Sequence, residues 1–170
     1  EVMRNIRDTG ARFGNAIQRI FLADGDALVL PTRRLLAILE AIHTHLPGVR
    51  RISSYCLPRN LRKKPQADID ALAAAGLKMV YVGAESGDDT VLERVHKGET
   101  FETTREALDK LGAAGITRSV MVLNGLGGQT LSAQHAEQSA RLMNATQPEY
   151  LSTLVVSFPL GEARYRADFP

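Results

Sequence analysis

Two carboxylates flank a glycine in Asp24-Gly25-Asp26, a third sits in Gly83-Ala84-Glu85-Ser86, and Asn124-Gly125-Leu126-Gly127-Gly128 is a glycine-rich turn. Carboxylates accept hydrogen bonds from ammonium and hydroxyl groups. Glycines let main-chain amides and carbonyls approach a ligand closely, because no Cβ intervenes. These residue types suit the binding of a polar small molecule. Other chemistries lack their residues. Ser86 has no GxSxG context for a hydrolase nucleophile. No GxGxxG turn follows the first apolar run, and the glycine-rich turn lacks the lysine and spacing of a P-loop. Cys56 is the single cysteine, so these residues build no internal disulfide, zinc ribbon or CxxC redox pair. His43 and His45 lie two apart in a helical pattern and point to different faces, while His96 and His135 are isolated. All four read as solvated or packing side chains.

These candidate residues stand at the ends of apolar runs, at 18–22, 51–55, 78–82, 117–123 and 150–156, the second of which carries Ser53 and Ser54 toward its end. Richness in Val, Ile, Leu, Tyr or Phe makes each run a buried strand. The intervening stretches are long enough for one crossover helix each, which is what joins parallel strands. In such α/β sheets and barrels the chemistry gathers at the carboxyl ends of the strands. Five strands fall short of the eight in a closed barrel, so the sheet is expected to be open.

Helix boundaries follow from capping and stop residues. Thr32 is expected to cap a helix with a stripe from Leu35 to Leu46, and Asp68 a short one ended by Gly76. Asp88 or Asp89 opens the next, Thr100 a longer one, and Thr130 or Ser132 the last. Residues 1–13 read as a helix with Val2, Met3, Ile6 and Phe13 as its apolar residues. A βα protein places a strand before such a helix, so the chain is expected to be a piece of a longer protein lacking its first strand.

At 44% hydrophobic and 24% charged residues, the chain supports one core. The expected division is a core over 1–161 and a tail, or the start of the next element, over 162–170. No apolar stretch nears the ~18 residues of a membrane helix, and no export leader is visible, which points to a cytoplasmic protein. A net charge of +2 does not call for a polyanionic partner. The basic cluster Arg59, Arg62, Lys63 and Lys64 reads as a solvated loop, because no aromatic residues interleave for base stacking.

Taken in order and spacing, Phe21-Leu-Ala-Asp-Gly-Asp-Ala-Leu28, Val80-Tyr-Val-Gly-Ala-Glu-Ser-Gly87, Lys97-Gly98 and Val122-Leu-Asn-Gly-Leu-Gly-Gly-Gln-Thr130 resemble the radical S-adenosylmethionine (radical SAM) superfamily, over residues 1–161. The resemblance implies a TIM-like partial barrel of six βα units, here five, with an N-terminal truncation. It also implies a [4Fe-4S] cluster on a CxxxCxxC loop after the first strand, and S-adenosylmethionine (SAM) cleaved by one electron to a 5'-deoxyadenosyl radical. The chain has no CxxxCxxC, so it is expected to be unable to bind the cluster and to be inactive alone.

The residue roles follow from the same resemblance. Asp24, Gly25 and Asp26 occupy the place that binds the methionine ammonium, with Asp26 favoured, although Asp and Gly also simply shape turns. Glu85 stands where the ribose is held, and Ser86 either adds a hydrogen bond or caps the next helix. Arg94 or Lys97 pairs with the SAM carboxylate or forms a wet helix face. Ser54, Asn124, Gly125 and Gly127 complete the cofactor-binding set, and Phe158-Pro159-Leu160 packs beside the adenine or is an ordinary strand end. Gln129 stands where many relatives carry an acid. The function implied is the core of a radical SAM oxidoreductase or transferase on an unidentified small-molecule substrate. The alternative is a noncatalytic βα binding or scaffold domain. The sheet edge bared by the missing strand is expected to allow self-association.

Overall fold

Apolar runs separated by helix-length crossovers can pair only side by side in one direction, and they do. The computed structural model describes residues 1–158 and 160–169. Pro159, the middle of the expected Phe158-Pro159-Leu160 contact, lies outside the described residues. The strands are β1 Arg19–Leu22, β2 Arg51–Tyr55, β3 Leu77–Glu85, β4 Thr117–Asn124 and β5 Tyr150–Val155. They form one open sheet in the order β1-β2-β3-β4-β5, with every neighbouring pair parallel. The helices are α1 Val2–Phe13, α2 Thr32–His45, α3 Pro58–Leu61, α4 Gln66–Ala74, α5 Asp89–Arg94, α6 Phe101–Ala113, α7 Ser132–Thr146 and α8 Glu162–Asp168. Five parallel strands alternating with helices make the open, partial TIM-like barrel expected of the α/β pattern.

The helices cover one face of the sheet. Ile52, Val80, Val82, Ala84 and Val120 point to that side and meet Leu39 and Ile42 of α2, Ile69 and Leu72 of α4, Leu108 and Leu111 of α6 and Leu142 of α7. Burying each Val, Ile or Leu side chain among them contributes about 1.5–3 kcal/mol. The alternate positions Tyr81, Gly83 and Glu85 of β3 turn to the opposite, uncovered face, as a period of two requires. All six residues of β5 are exposed, because it has a partner on one side only and no helix packs over it.

Several helix starts differ from the capping expectation. Thr32 does not cap α2 but is its first residue, behind Pro31, and its hydroxyl donates to Asp68 Oδ2 at 2.7 Å. Asp68 likewise lies inside the first turn of α4, behind Pro65. Proline occupies the N-cap position at both sites, with φ −55° and −58°, and fixes the chain's entry into the helix, but it offers no side-chain acceptor, so neither first turn has a side-chain cap. Asp88 and Thr100 do cap α5 and α6, accepting from Val91 N and Thr103 N. On α1 only Ile6 packs against the core; Val2, Met3 and Phe13 are exposed.

The basic cluster is only partly a solvated loop. Arg59 lies in α3, while Arg62, Lys63 and Lys64 follow it, and Arg62 and Lys63 are exposed. Lys64 Nζ donates to Leu30 O at 2.8 Å, and Arg59 donates its N–H to Glu99 Oε1 at 2.8 Å and its Nη1 to Lys97 O at 3.2 Å. Residues 162–168 fold back as α8, and Phe169 is buried beside Leu126 and Val91. The Tyr165 hydroxyl lies 2.7 Å from Gly125 O and 3.0 Å from Leu126 O, and its ring stands 4.4 Å from that of Phe158.

Arg118 anchors the amino end of β4. Its guanidinium donates to the carbonyls of Leu108, Thr146 and Gln147 and to both oxygens of Glu149, joining α6, α7 and the sheet. Gly112 makes the room: a Cβ there would lie 2.7 Å from Arg118 Nη1, so a residue that costs a helix about 1 kcal/mol is tolerated. The Arg118 hydrogen bonds hold the Glu149 carboxyl down at about 2, from 4.5. Arg118→Met is expected to lower the urea midpoint, with a loss of about 2–3 kcal/mol from orphaned carbonyls and the broken pair. The depressed Glu149 pKa adds stability that is full above pH 4.5 and lost as pH falls toward 2. That part of the acid-unfolding profile should vanish in the variant, as measured by circular dichroism against pH.

Candidate functional site

At the carboxyl end of the sheet the chain turns sharply after β1. Asp24 takes φ 64° and Gly25 φ 103°, a left-handed pair that an acid and a glycine tolerate. Asp26 then returns to extended backbone, and its carboxylate is fully engaged within the protein. Oδ1 accepts from Leu28 N at 2.7 Å; Oδ2 accepts from Leu57 N at 2.6 Å and from Asn60 Nδ2 at 2.7 Å. Asp26 thus ties the turn after β1 to the segment after β2.

After β3 the geometry is tighter. Glu85 has φ 63°, and the N–H of Ser86 donates to Ala84 O at 2.8 Å, closing a three-residue γ-turn around it. A conformation of this kind costs about 1–3 kcal/mol and persists only when its surroundings hold it. The register with β4 shifts between Gly83 and Glu85, which re-aims the Glu85 side chain. Glu85 Oε1 accepts from Lys97 Nζ at 3.1 Å. Gly83 leaves space for this carboxylate, since a Cβ would collide with Glu85 Oε1.

Glu85 and Lys97 line a cavity of about 310 Å³ together with Gly25, Asp26, Tyr55, Cys56 and Tyr81. Of the residues expected from the sequence, Gly25, Asp26, Glu85 and Lys97 therefore meet around one space. The others lie elsewhere. Asp24 is exposed at the turn. Ser54 is fully buried and donates to Tyr55 O at 2.9 Å. Arg94 reaches Asp168 O at 2.8 Å. Asn124 and Gly125 line a separate groove against α7, and Gly127 backs onto His135, whose Cβ would lie 2.9 Å from an added Cβ. Tyr55, Leu57, Tyr81 and Met121 of the cavity wall are absent from the expectation. The signal of the three on strands was the alternation, hidden because the runs read as buried on both faces.

Ser86 supports the site from behind. Its side chain is buried, 2.8 Å from His135 Nδ1, and accepts from Asp88 N at 2.9 Å. His135 Nε2 lies 3.0 Å from Leu123 O. A proton on Nε2 for that carbonyl leaves Nδ1 to accept from the Ser86 hydroxyl, so the partners assign the neutral tautomer. Asp88 Oδ2 accepts from Gln134 Nε2 at 2.7 Å, and Gly87 N donates to Ser139 Oγ at 2.9 Å. The strained Glu85 turn is thereby clamped to α7.

Cys56 is no metal-ligating thiolate as it stands. Burial pushes its thiol up, and the nearby Asp26 and Glu99 carboxylates add to the effect. Among the described residues no three His, Cys, Asp or Glu side chains are grouped to hold a metal ion. An iron-sulfur cluster anchored on three thiolates does not fit a chain with one buried cysteine. The partly open Glu85 and Lys97 beside the Gly25 turn do fit a zwitterionic ligand bearing hydroxyls.

Burial lowers the His135 pKa below 6.5. Its contribution to stability is then full above pH 6.5 and is lost as pH falls through the folded-state value, because the unfolded chain binds the proton first. Urea midpoints measured between pH 8 and pH 5 should fall for the parent protein. His135→Leu should be less stable at pH 8 but lose part of that pH dependence; an unchanged slope would contradict the neutral assignment.

The model of the Radical SAM superfamily matches residues 1–143. Among solved structures, the chain is similar to coproporphyrinogen III oxidase (HemN) from Escherichia coli, described as a radical SAM enzyme, at 13% identity and TM-score 0.72, covering 99% of this chain and 40% of that one. It is similar to the radical SAM methyltransferase TsrM from Kitasatospora setae, solved with cobalamin and a [4Fe-4S] cluster, at 21% identity and TM-score 0.69, covering 91% and 31%. It is also similar to Elp3 from Methanocaldococcus infernus, at 14% identity and TM-score 0.68, covering 99% and 46%. No curated protein matches the chain significantly. The chain thus spans about 40% of the length of HemN and less than half of the other two. With most of its length matched by the family model and the same open parallel sheet as these structures, the chain belongs to the radical SAM superfamily.

Proposed function

We propose that the cavity between the Gly25 turn, Glu85 and Lys97 binds SAM, and that the chain is the SAM-binding core of a cytoplasmic radical SAM oxidoreductase or transferase. The observation that carries this reading is Glu85, held in a γ-turn at φ 63° and paired with Lys97 at 3.1 Å inside the same cavity as Gly25. Strain of this size is retained where a side chain must be aimed.

The Glu85 carboxylate accepts from the ribose hydroxyls, and Lys97 exchanges Glu85 for the methionine carboxylate. The ammonium falls to the main-chain carbonyls of the Asp24-Gly25 turn, because the Asp26 oxygens already hold three protein donors. Asn124 and Gly125 line the separate groove against α7 and Gly127 packs on His135, so none of the three is assigned to SAM in this cavity. When bound, SAM supplies a sulfonium carbon–sulfur bond that one-electron reduction breaks. The single cysteine favours a second statement: these 170 residues bind SAM without cleaving it. The same observation supports the noncatalytic binding or scaffold reading.

Calorimetric titration with SAM tests both parts. Binding should weaken about tenfold or more in Glu85→Ala, the value of one charge-assisted hydrogen bond. No 5'-deoxyadenosine should form from the 170-residue chain with dithionite. Folded protein that ignores millimolar SAM would overturn the assignment, and product from the chain alone would overturn its inactivity.

Self-association is part of the proposal, with β1 and β5 as the open edges. Tyr150, Leu151, Leu154 and Val155 of β5 are exposed beside unpaired backbone groups. Light scattering should show mass rising with concentration, and Leu154→Lys should suppress the rise.

A further inference from the structure

Phe21 of β1, Tyr55 of β2 and Tyr81 of β3 meet on the uncovered face of the sheet. Their ring centroids lie 4.8 Å, 5.7 Å and 6.3 Å apart, with interplanar angles of 71°, 49° and 64°. The rings are inclined to one another and form a shallow cup rather than a flat stack. Phe21 is 39% exposed and Tyr55 51%, so two of the chain's largest side chains are left wet. None of the three is part of the apolar core on the helix side. Among the described residues neither tyrosine hydroxyl has a protein hydrogen-bond partner.

The cup is continuous with the cavity just described. Tyr55 and Tyr81 belong to its wall, as does Met121, whereas Phe21 stands beyond it. A volume of about 310 Å³ is at the low end for a ligand site, which runs to about 1,000 Å³. It accommodates one reactant. A reaction that joins SAM to a second molecule must hold the second on an adjoining surface, and the adjoining surface here is aromatic. Among the described residues, the ionic groups of the cavity wall are Asp26, whose carboxylate is held by three protein donors, and Glu85 and Lys97, paired at 3.1 Å.

We propose that Phe21, Tyr55 and Tyr81 form the substrate subsite and that it takes an uncharged planar ring with a polar edge. The inference rests on the SAM assignment of the neighbouring cavity. Inclined rings offer a face and positive edges to a planar guest, an arrangement that favours aromatic over aliphatic rings of equal size. The two free hydroxyls meet the polar edge. A second copy of the chain is a poorer occupant: side chains of about 150–250 Å² each, with Phe21 39% and Tyr55 51% exposed and Tyr81 less so, offer roughly 150–300 Å², well below the ~1,200 Å² of a stable interface.

The test titrates the 170-residue protein by NMR with p-cresol and with 4-methylcyclohexanol, which match in heavy atoms and hydroxyl but differ in planarity. The expected result is p-cresol binding at least about fivefold tighter, with shifts confined to the three rings. It should weaken about tenfold in Phe21→Leu and Tyr55→Leu, exposed positions where leucine keeps the apolar surface. Urea midpoints near that of the parent protein show that each variant is folded. Equal affinity for both probes, no binding, or unchanged affinity in the leucine variants overturns the subsite. So do ring shifts that follow protein concentration alone and vanish in Phe21→Leu, which assign the cup to a second copy. SAM is titrated into the same samples. SAM binding retained in Phe21→Leu while p-cresol binding is lost supports the two-compartment site. Failure of SAM with p-cresol still bound to the rings removes the cavity assignment and not the ring recognition.

Discussion

The carboxylate of Asp26 is the constraint on which the carboxyl end of the sheet depends. A parallel sheet delivers its strand ends to one side but leaves the turns there free to splay. Asp26 opposes this by taking donors from Leu28, Leu57 and Asn60, which tie the turn after β1 to the start of α3. From α3 the chain of contacts continues through Arg59 to the carbonyl of Lys97 and to the buried Glu99. An acid whose type and position suggest ligand binding is used here to build the wall that a ligand would meet. A carboxylate accepting several backbone or amide donors in a dry setting gains more from that role than from an intermittent ligand.

Glu85 contrasts with it. Its oxygen faces Lys97 across an open cavity, and its backbone is held in a costly conformation by groups on the far side. The Ser86-His135 contact, the Gly87-Ser139 bond and the Asp88-Gln134 bond all run to α7. The helix that closes over β4 is thus also the clamp that aims the β3 carboxylate. Both faces of the β3 end are engaged, one in packing and one in the site.

The strand positions were legible in the sequence because a strand packed under helices must be rich in apolar residues and a crossover must be long. β2 falls where its run does, residues 51–55. β3 extends past its apolar run to Glu85, because a bulge lets a polar residue stay in the ladder. The Asp24-Gly25-Asp26 and Glu85 turns were legible as strand-end polar residues. The division of labour between them was not. Nothing in the types of Asp26 and Ser86 says that one would be consumed by Leu57 and Asn60 and the other by His135, since those partners are 31 to 49 residues away.

By itself the sequence determined the strand-helix alternation, the strand ends at which polar groups collect, and the kinship carried by the spacing of those ends. Local periodicity and turn chemistry act over a few residues and need no knowledge of the rest. Only the tertiary structure decided which polar side chains face the cavity, which are spent inside the protein, and that Phe21, Tyr55 and Tyr81 share one uncovered face. Those outcomes depend on register between strands and on which face the helices cover, and both are fixed by contacts between distant residues.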